Sequence, residues 1–312
     1  MYEIRTDLAL EDQEKYEADN VEIKGVRLSK QKMGEDIVIT TMSIDTENGA
    51  KAMGRPRGSY VTIEASSMDD DDEAYHQSLA KKLAEIIQNL LPKQKVESVL
   101  VVGLGNRNVT SDSLGPKVAD QIFITRHMMR EFGTSIFGEK QKQVSAIVPG
   151  VMAQTGMESS EIIRGVMEET KPDLVIAVDA LAARNTKRLN RTIQVTNTGI
   201  HPGSGVGNHR NPLNEESLGV PVLAIGIPTV VDAATIVGDT MSELLHALSG
   251  HQELHVLEHS YHSLGEARQH ELVRELLAPQ LNTMYVTGKD IDASIERLSM
   301  TIGNAINLAF QE

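Results

Sequence analysis

Two aspartates, Asp112 and Asp179, are spaced so that a pair of carboxylates could do acid–base chemistry together. Each follows an apolar run with β character. The first run is Ser98-Val-Leu-Val-Val-Gly-Leu-Gly105, whose loop continues through Asn106 to Asp112, and the second is Asp173-Leu-Val-Ile-Ala-Val-Asp179. In open α/β sheets ligands gather outside the carboxyl ends of strands, so two acids delivered there can meet in one cleft. Close like charges resist ionising together, which lets one carboxyl act as acid and the other as base. The plainer alternative is that each Asp caps the helix after it, a task its short acceptor side chain suits.

Other residue clusters offer weaker chemistry. Gly103-Leu-Gly105-Asn106 after a strand has the start of a dinucleotide loop, but Asn108 stands where the third glycine belongs. The same tight turn could instead let the loop curl back and present Asp112. A second glycine-rich stretch runs Gly199-Ile-His201-Pro-Gly203-Ser-Gly205-Val-Gly-Asn208, and its backbone N–H groups could cradle a carbonyl or carboxylate. Asn106, His201, Gly203 and Gly205 are therefore supporting candidates beside Asp112 and Asp179. Ser204 lacks the G-x-S-x-G elbow of a serine nucleophile. His251, His255, His259 and His262 contain i, i+4 spacings but no H-E-x-x-H, so a surface histidine cluster is preferred to a zinc site. Asp69 to Glu73 lacks the spaced ligands of a calcium loop and precedes a strong helix, whose N-terminus favours acids. Arg184 and Lys187 could orient a carboxylate or be solvated charges.

The elements that must position these residues follow from pattern. With 312 residues there is chain enough for a substantial core. Runs at 21–28, 36–44 and 58–65 are rich in β-branched residues and predict a small N-terminal β extension spanning about 21–65. Leu79, Leu83, Ile86, Ile87 and Leu90 predict a helix that stops at Pro92. Beyond it, strands at 98–105, 144–149, 173–179, 192–196 and 220–227 alternate with helices at 116–130, 159–169 and 233–248. That alternation predicts an α/β fold with a mostly parallel sheet covered by helices on both faces. Ile291, Ile295, Leu298, Ile302 and Ile306 form the stripe of a C-terminal helix at about 289–310, with Thr287 and Asp290 at capping-box spacing. The first ~20 residues are acidic, and such a terminus is mobile unless docked.

Composition sets further limits. The absence of cysteine removes disulfides, thiolate nucleophiles and Cys-ligated zinc. A formal net charge of −14 and few aromatics disfavour direct nucleic-acid binding. No stretch has the ~20 apolar residues of a membrane span, and Met1-Tyr-Glu-Ile-Arg does not begin a signal peptide, so a soluble, cytoplasmic protein without a membrane role is expected.

Several long strings resemble the germination proteases, endopeptidases that degrade small acid-soluble spore proteins. They are Arg5-Thr-Asp-Leu-Ala-Leu-Glu11, Gly103 through Asp112 to Pro116, Val178-Asp179-Ala-Leu-Ala-Ala-Arg184, Thr198 to Asn208, and Gly226-Ile-Pro-Thr-Val-Val-Asp232. The resemblance covers essentially the whole chain. It implies a fold like that of hydrogenase maturation proteases, with Asp112 and Asp179 as an atypical aspartic-type catalytic pair. It further implies a homotetramer in the spore core, made as a zymogen that cuts itself between Asp7 and Leu8, so that residues 1–7 are a propeptide and 8–312 one peptidase domain. No cofactor is expected, and whether the two acids work through a bound metal stays open. The competing reading is a non-catalytic, nucleotide-sensing doubly wound module.

Overall fold

The computed structural model describes residues 6–18, 23–133, 141–204, 210–248, 259–261, 263–277 and 284–310. The N-terminal half contains α1 (Ala9–Ala18), β1 (Val26–Met33), β2 (Ile37–Ile44), α2 (Glu47–Met53), β3 (Gly58–Ala65), α3 (Glu73–Leu90) and β4 (Ser98–Gly103). There follow α4 (Leu114–Asp120), α5 (Arg126–Phe132), β5 (Gln143–Ile147), α6 (Met152–Thr155), α7 (Ser159–Thr170), β6 (Leu174–Ala183) and β7 (Thr192–Thr196). The chain continues through α8 (Glu215–Leu218), β8 (Val222–Asp232), α9 (Ala233–Leu248), α10 (Glu266–Leu276), β9 (Tyr285–Val286) and α11 (Ile291–Phe310).

Among the described residues, all the strands join one sheet in the order β1-β2-β3-β7-β8-β6-β4-β5, with β9 on β8. The α/β layering agrees with the sequence pattern, but the strand directions need correction. Only β4–β5, β4–β6 and β6–β8 pair in parallel. The pairs β1–β2, β2–β3, β3–β7, β7–β8 and β8–β9 are antiparallel, so the sheet is mostly antiparallel. A short apolar run carries no direction of its own, and β7 reads like its neighbours until its partners are known. Because β3 pairs with β7, the N-terminal extension continues the main sheet. β1 starts and ends later than its apolar run. It is exposed along nearly its whole length, as suits an edge strand whose Lys30 and Lys32 discourage pairing with other chains.

Burial differs between the two sheet faces. One face carries Leu174, Ile176 and Val178 of β6 with Ile193 and Val195 of β7. Leu79, Leu83 and Ile87 of α3 and Ile295, Leu298 and Ile302 of α11 seal it into the largest apolar cluster. Each such side chain contributes roughly 1.5–3 kcal/mol on leaving water. α3 begins where the acidic run ends, and the Asp72 carboxylate caps it by accepting from Tyr75 N–H at 3.1 Å. The opposite face is patchier, with one cluster under α7 and others around Leu8 and Ala9.

Three local expectations yield to tertiary bonding, and a fourth, left conditional on docking, is decided by it. The helix expected over 116–130 is two helices. Between them Phe123 N–H donates to Asn307 Oδ1 at 2.8 Å and Thr125 N–H to Val144 O at 3.0 Å, which fixes the connection. Thr287 does not cap α11, because its hydroxyl donates to Thr229 O at 2.7 Å. β6 does not end at Asp179 but runs on to Ala183, since pairing with β8 continues through an irregularity at Leu181/Ala182. The acidic N-terminus is docked: Leu8 and Ala9 are fully buried, and Glu11 and Glu14 of α1 pair with Arg188 at 3.2 and 2.6 Å.

Candidate active site

Asp112 reaches the site because glycines let its loop fold back on itself. Gly105 has φ +108, and a Cβ there would stand 2.1 Å from Asp112 O. A Cβ on Gly115 would meet Leu104 O at 2.3 Å and Val178 O at 2.4 Å. Neither position has room for a side chain, so both glycines are required for the loop to close on itself. Asn106 N–H donates to Asp112 Oδ2 at 2.9 Å and also to Asp112 O at 3.0 Å, so Asn106 acts through its backbone. Its side-chain Oδ1 accepts from Gln154 at 2.9 Å. Thr229 Oγ1 donates to Ser111 O at 2.6 Å and ties the loop to β8. Burial raises the Asp112 pKa, against the opposing pull of the Asn106 N–H.

Asp179 projects from within β6 and is only 6% exposed. Its own neighbour Ala180 donates N–H to Oδ1 at 3.0 Å. Its pKa is raised well above the ordinary carboxylate range, first by burial, then by the charges of Asp112 and Asp7. Asp112, Asp179 and Asp7 line one pocket of about 400 Å³, which Arg210 and Glu158 also border. The expected pair thus meets, with a third acid beside it.

That third acid comes from the docked N-terminus. Asp179 lies in register with Gly226 of β8, and Gly226 with Gln194 of β7, so Asp179 and Gln194 point to the same side of the sheet. Gln194 brackets the Asp7–Leu8 bond: its Nε2 donates to Asp7 O at 3.0 Å and its Oε1 accepts from Ala9 N–H at 2.6 Å. The Asp7 carboxylate accepts from Ala182 N–H at 2.9 Å and from Ser204 Oγ at 2.7 Å. Leu8 packs on Leu181, Ala183 and Val231. Neither Gln194 nor Ser204 is singled out by sequence as a site residue; the Thr-Asp-Leu-Ala string marks the ligand-like segment but not the groups that hold it.

The glycine-rich stretch contributes in part. Gly203, at φ +72, lines the pocket beside Pro202. His201 does not line it. The pKa of its imidazole is lowered by partial desolvation and then by the charge of Arg55. Gly205 and Asn208 lie outside the described residues, as do His251, His255 and His262. Arg184 and Lys187 do not line the pocket; Arg184 N–H holds Glu11 Oε2 at 2.8 Å. Among the described residues no group of three or more His, Asp or Glu forms a metal-binding cluster, and no helix is long and apolar enough to cross a membrane.

Comparison with known proteins adds to this geometry. A family model described as germination protease matches residues 3–260. A germination protease of Caldanaerobacter subterraneus subsp. tengcongensis is 47% identical over 309 residues, covering 99% of this chain and 94% of that protein. One of Clostridium perfringens is 43% identical, with 100% and 96% covered, and one of Bacillus mycoides 37% identical, with 99% and 94% covered. Among solved structures, a [NiFe] hydrogenase maturation protease from Thermococcus kodakarensis is 20% identical. It aligns with 46% of this chain and 80% of its own at a TM-score of 0.30, a likeness too slight to bear on function.

Proposed function

The chain belongs to the germination protease family and is a peptidase, and we propose that Asp112 and Asp179 share its hydrolytic step. The observation that carries this is the meeting of both carboxylates in one pocket with Asp7, the residue before the expected cut. Burial and two neighbouring charges favour the protonated form of Asp179, while Asp112 is less strongly raised. In the proposed step ionised Asp112 takes a proton from water, whose oxygen adds to the scissile carbonyl carbon, while Asp179 gives its proton to the carbonyl oxygen. On collapse the C–N bond breaks as Asp112 passes its proton to the leaving amine and a hydroxyl of the intermediate returns one to Asp179. The pair then holds one proton between its members, as close carboxylates do.

The substrates in this proposal are small acid-soluble spore proteins, cut in the spore core without direct contact with nucleic acid or membrane. The chain is a zymogen that removes residues 1–7 and works as a homotetramer. Seating of Asp7 in the pocket that Asp112 and Asp179 also line supports the processing site. Incubation under activating conditions yields a chain beginning Leu8-Ala9-Leu10-Glu11 by N-terminal sequencing. Retention of residues 1–7 in fully active enzyme excludes this site. A monomeric mass at micromolar concentration refutes the tetramer. Activity that vanishes on chelation and returns with added metal shows that the acids work through an ion.

A further inference from the structure

Asp7 enters the pocket with its side chain held at both oxygens. Ser204 Oγ donates to Oδ1 at 2.7 Å, and Ala182 N–H donates to Oδ2 at 2.9 Å. The backbone is fixed as well, by Asp7 N–H to Ala182 O at 3.0 Å and by the Gln194 amide at Asp7 O. A backbone N–H can only donate, so the Ala9 N–H determines which end of the Gln194 amide faces the carbonyl. A short carboxylate between a hydroxyl and an amide N–H receives charge-assisted bonds that an apolar side chain cannot reproduce.

We propose that Ser204 Oγ and the Ala182 N–H form the subsite that reads the acidic side chain before the cut bond, in a substrate as in the chain's own Asp7. The assignment rests on the peptidase activity proposed for Asp112 and Asp179. Once the Asp7–Leu8 bond is cut, residues 1–7 lose their covalent anchor, whereas Leu8 and Ala9 keep fully buried contacts. Departure of the released segment leaves Ala182 and Gly203 lining a free pocket, with Ser204 next in the chain to Gly203. An acidic residue seated there also helps to keep Asp179 protonated, after burial and Asp112. Recognition of the substrate and preparation of the acid are then one event.

Two peptides test the subsite, one carrying Thr-Asp-Leu-Ala-Leu-Glu and one with Ala in place of that Asp. Ser204 is exposed, so its replacement leaves the core untouched. Wild type and variants are compared as chains beginning at Leu8, and wild type prefers the acidic peptide in kcat/KM. Ser204→Ala reduces that preference at least ~10-fold by loss of the acidic peptide alone, and Ser204→Thr, which keeps the hydroxyl, restores it. A wild-type preference in Ser204→Ala overturns the subsite while leaving the peptidase proposal standing. Cleavage of neither peptide by wild type counts against the peptidase proposal, and hydrogen exchange at the Ala182 amide of the uncut chain then decides the subsite. Faster exchange in Ser204→Ala supports it, and equal rates overturn it.

Discussion

Successive residues of β6 face opposite sides of the sheet and meet different surroundings. Leu174, Ile176 and Val178 enter a dry layer under α3 and α11, where side chains need only fit. Val175, Ala177 and Asp179 face the other way, and the last of these ends in a pocket lined by four acids, Asp7, Asp112, Glu158 and Asp179 itself. Across the same side of β7 stand buried Thr192, Gln194 and Thr196, polar groups that need partners once removed from water. Gln194 finds its partners in the docked N-terminus. The dry face supplies rigidity, and the polar face holds an unfavourable carboxyl that the proposed chemistry uses, a common trade between stability and activity.

The sharpest contrast is catalytic. Asp112→Asn or Asp179→Asn is expected to slow self-cleavage by at least ~10³-fold with unchanged far-UV dichroism, given what acid–base groups contribute. Near-normal processing in either variant would break the division between the faces. On the dry face, Leu298→Ala or Ile176→Ala should destabilise by about 2–5 kcal/mol in urea unfolding, with little change in cleavage while folded. A loss below about 1 kcal/mol at both positions would mean that this layer is not the main support.

Between these extremes lies the arm that covers the polar face. Arg188 is 8% exposed and meets Glu11, Glu14 and Glu64. Removing one partner of a fully buried pair costs about 3–5 kcal/mol, but Glu14 and Glu64 reach solvent. Arg188→Ala is therefore expected to cost about 2 kcal/mol and to loosen α1, read as faster amide exchange over 9–18. Unaltered exchange there would show that apolar contacts of Leu8 and Ala9 suffice.

The smallest effect concerns pH. Asp179 faces Asp112 and Asp7, with Glu158 and Arg210 bordering the same pocket. Its folded pKa is raised, so below its unfolded value it is protonated in both states and carries no penalty. As pH rises through the folded pKa, ionisation in the buried site removes stability. Asp179→Asn should thus match wild type in Tm near pH 4 and exceed it at neutral pH. A lower Tm for Asp179→Asn at neutral pH contradicts this sign.

Much of this was legible in sequence because it is encoded locally. Helical spacing in Leu79–Leu90 and Ile291–Ile306 is a property of neighbours three and four apart, and both helices form as read. The glycines at 103, 105 and 115 mark a loop that must touch itself, and Asp112 and Asp179 stand out as acids beside apolar runs. The antiparallel setting of β7, the extension of β6 past Asp179 and the break between α4 and α5 were decided by partners distant in the chain. So were the places of Gln194 and Ser204 around Asp7, 187 and 197 positions away. Periodicity and turn chemistry act over a few residues and can be read from them. Strand direction and the satisfaction of buried polar groups depend on which segments meet, and only the folded chain supplies those partners.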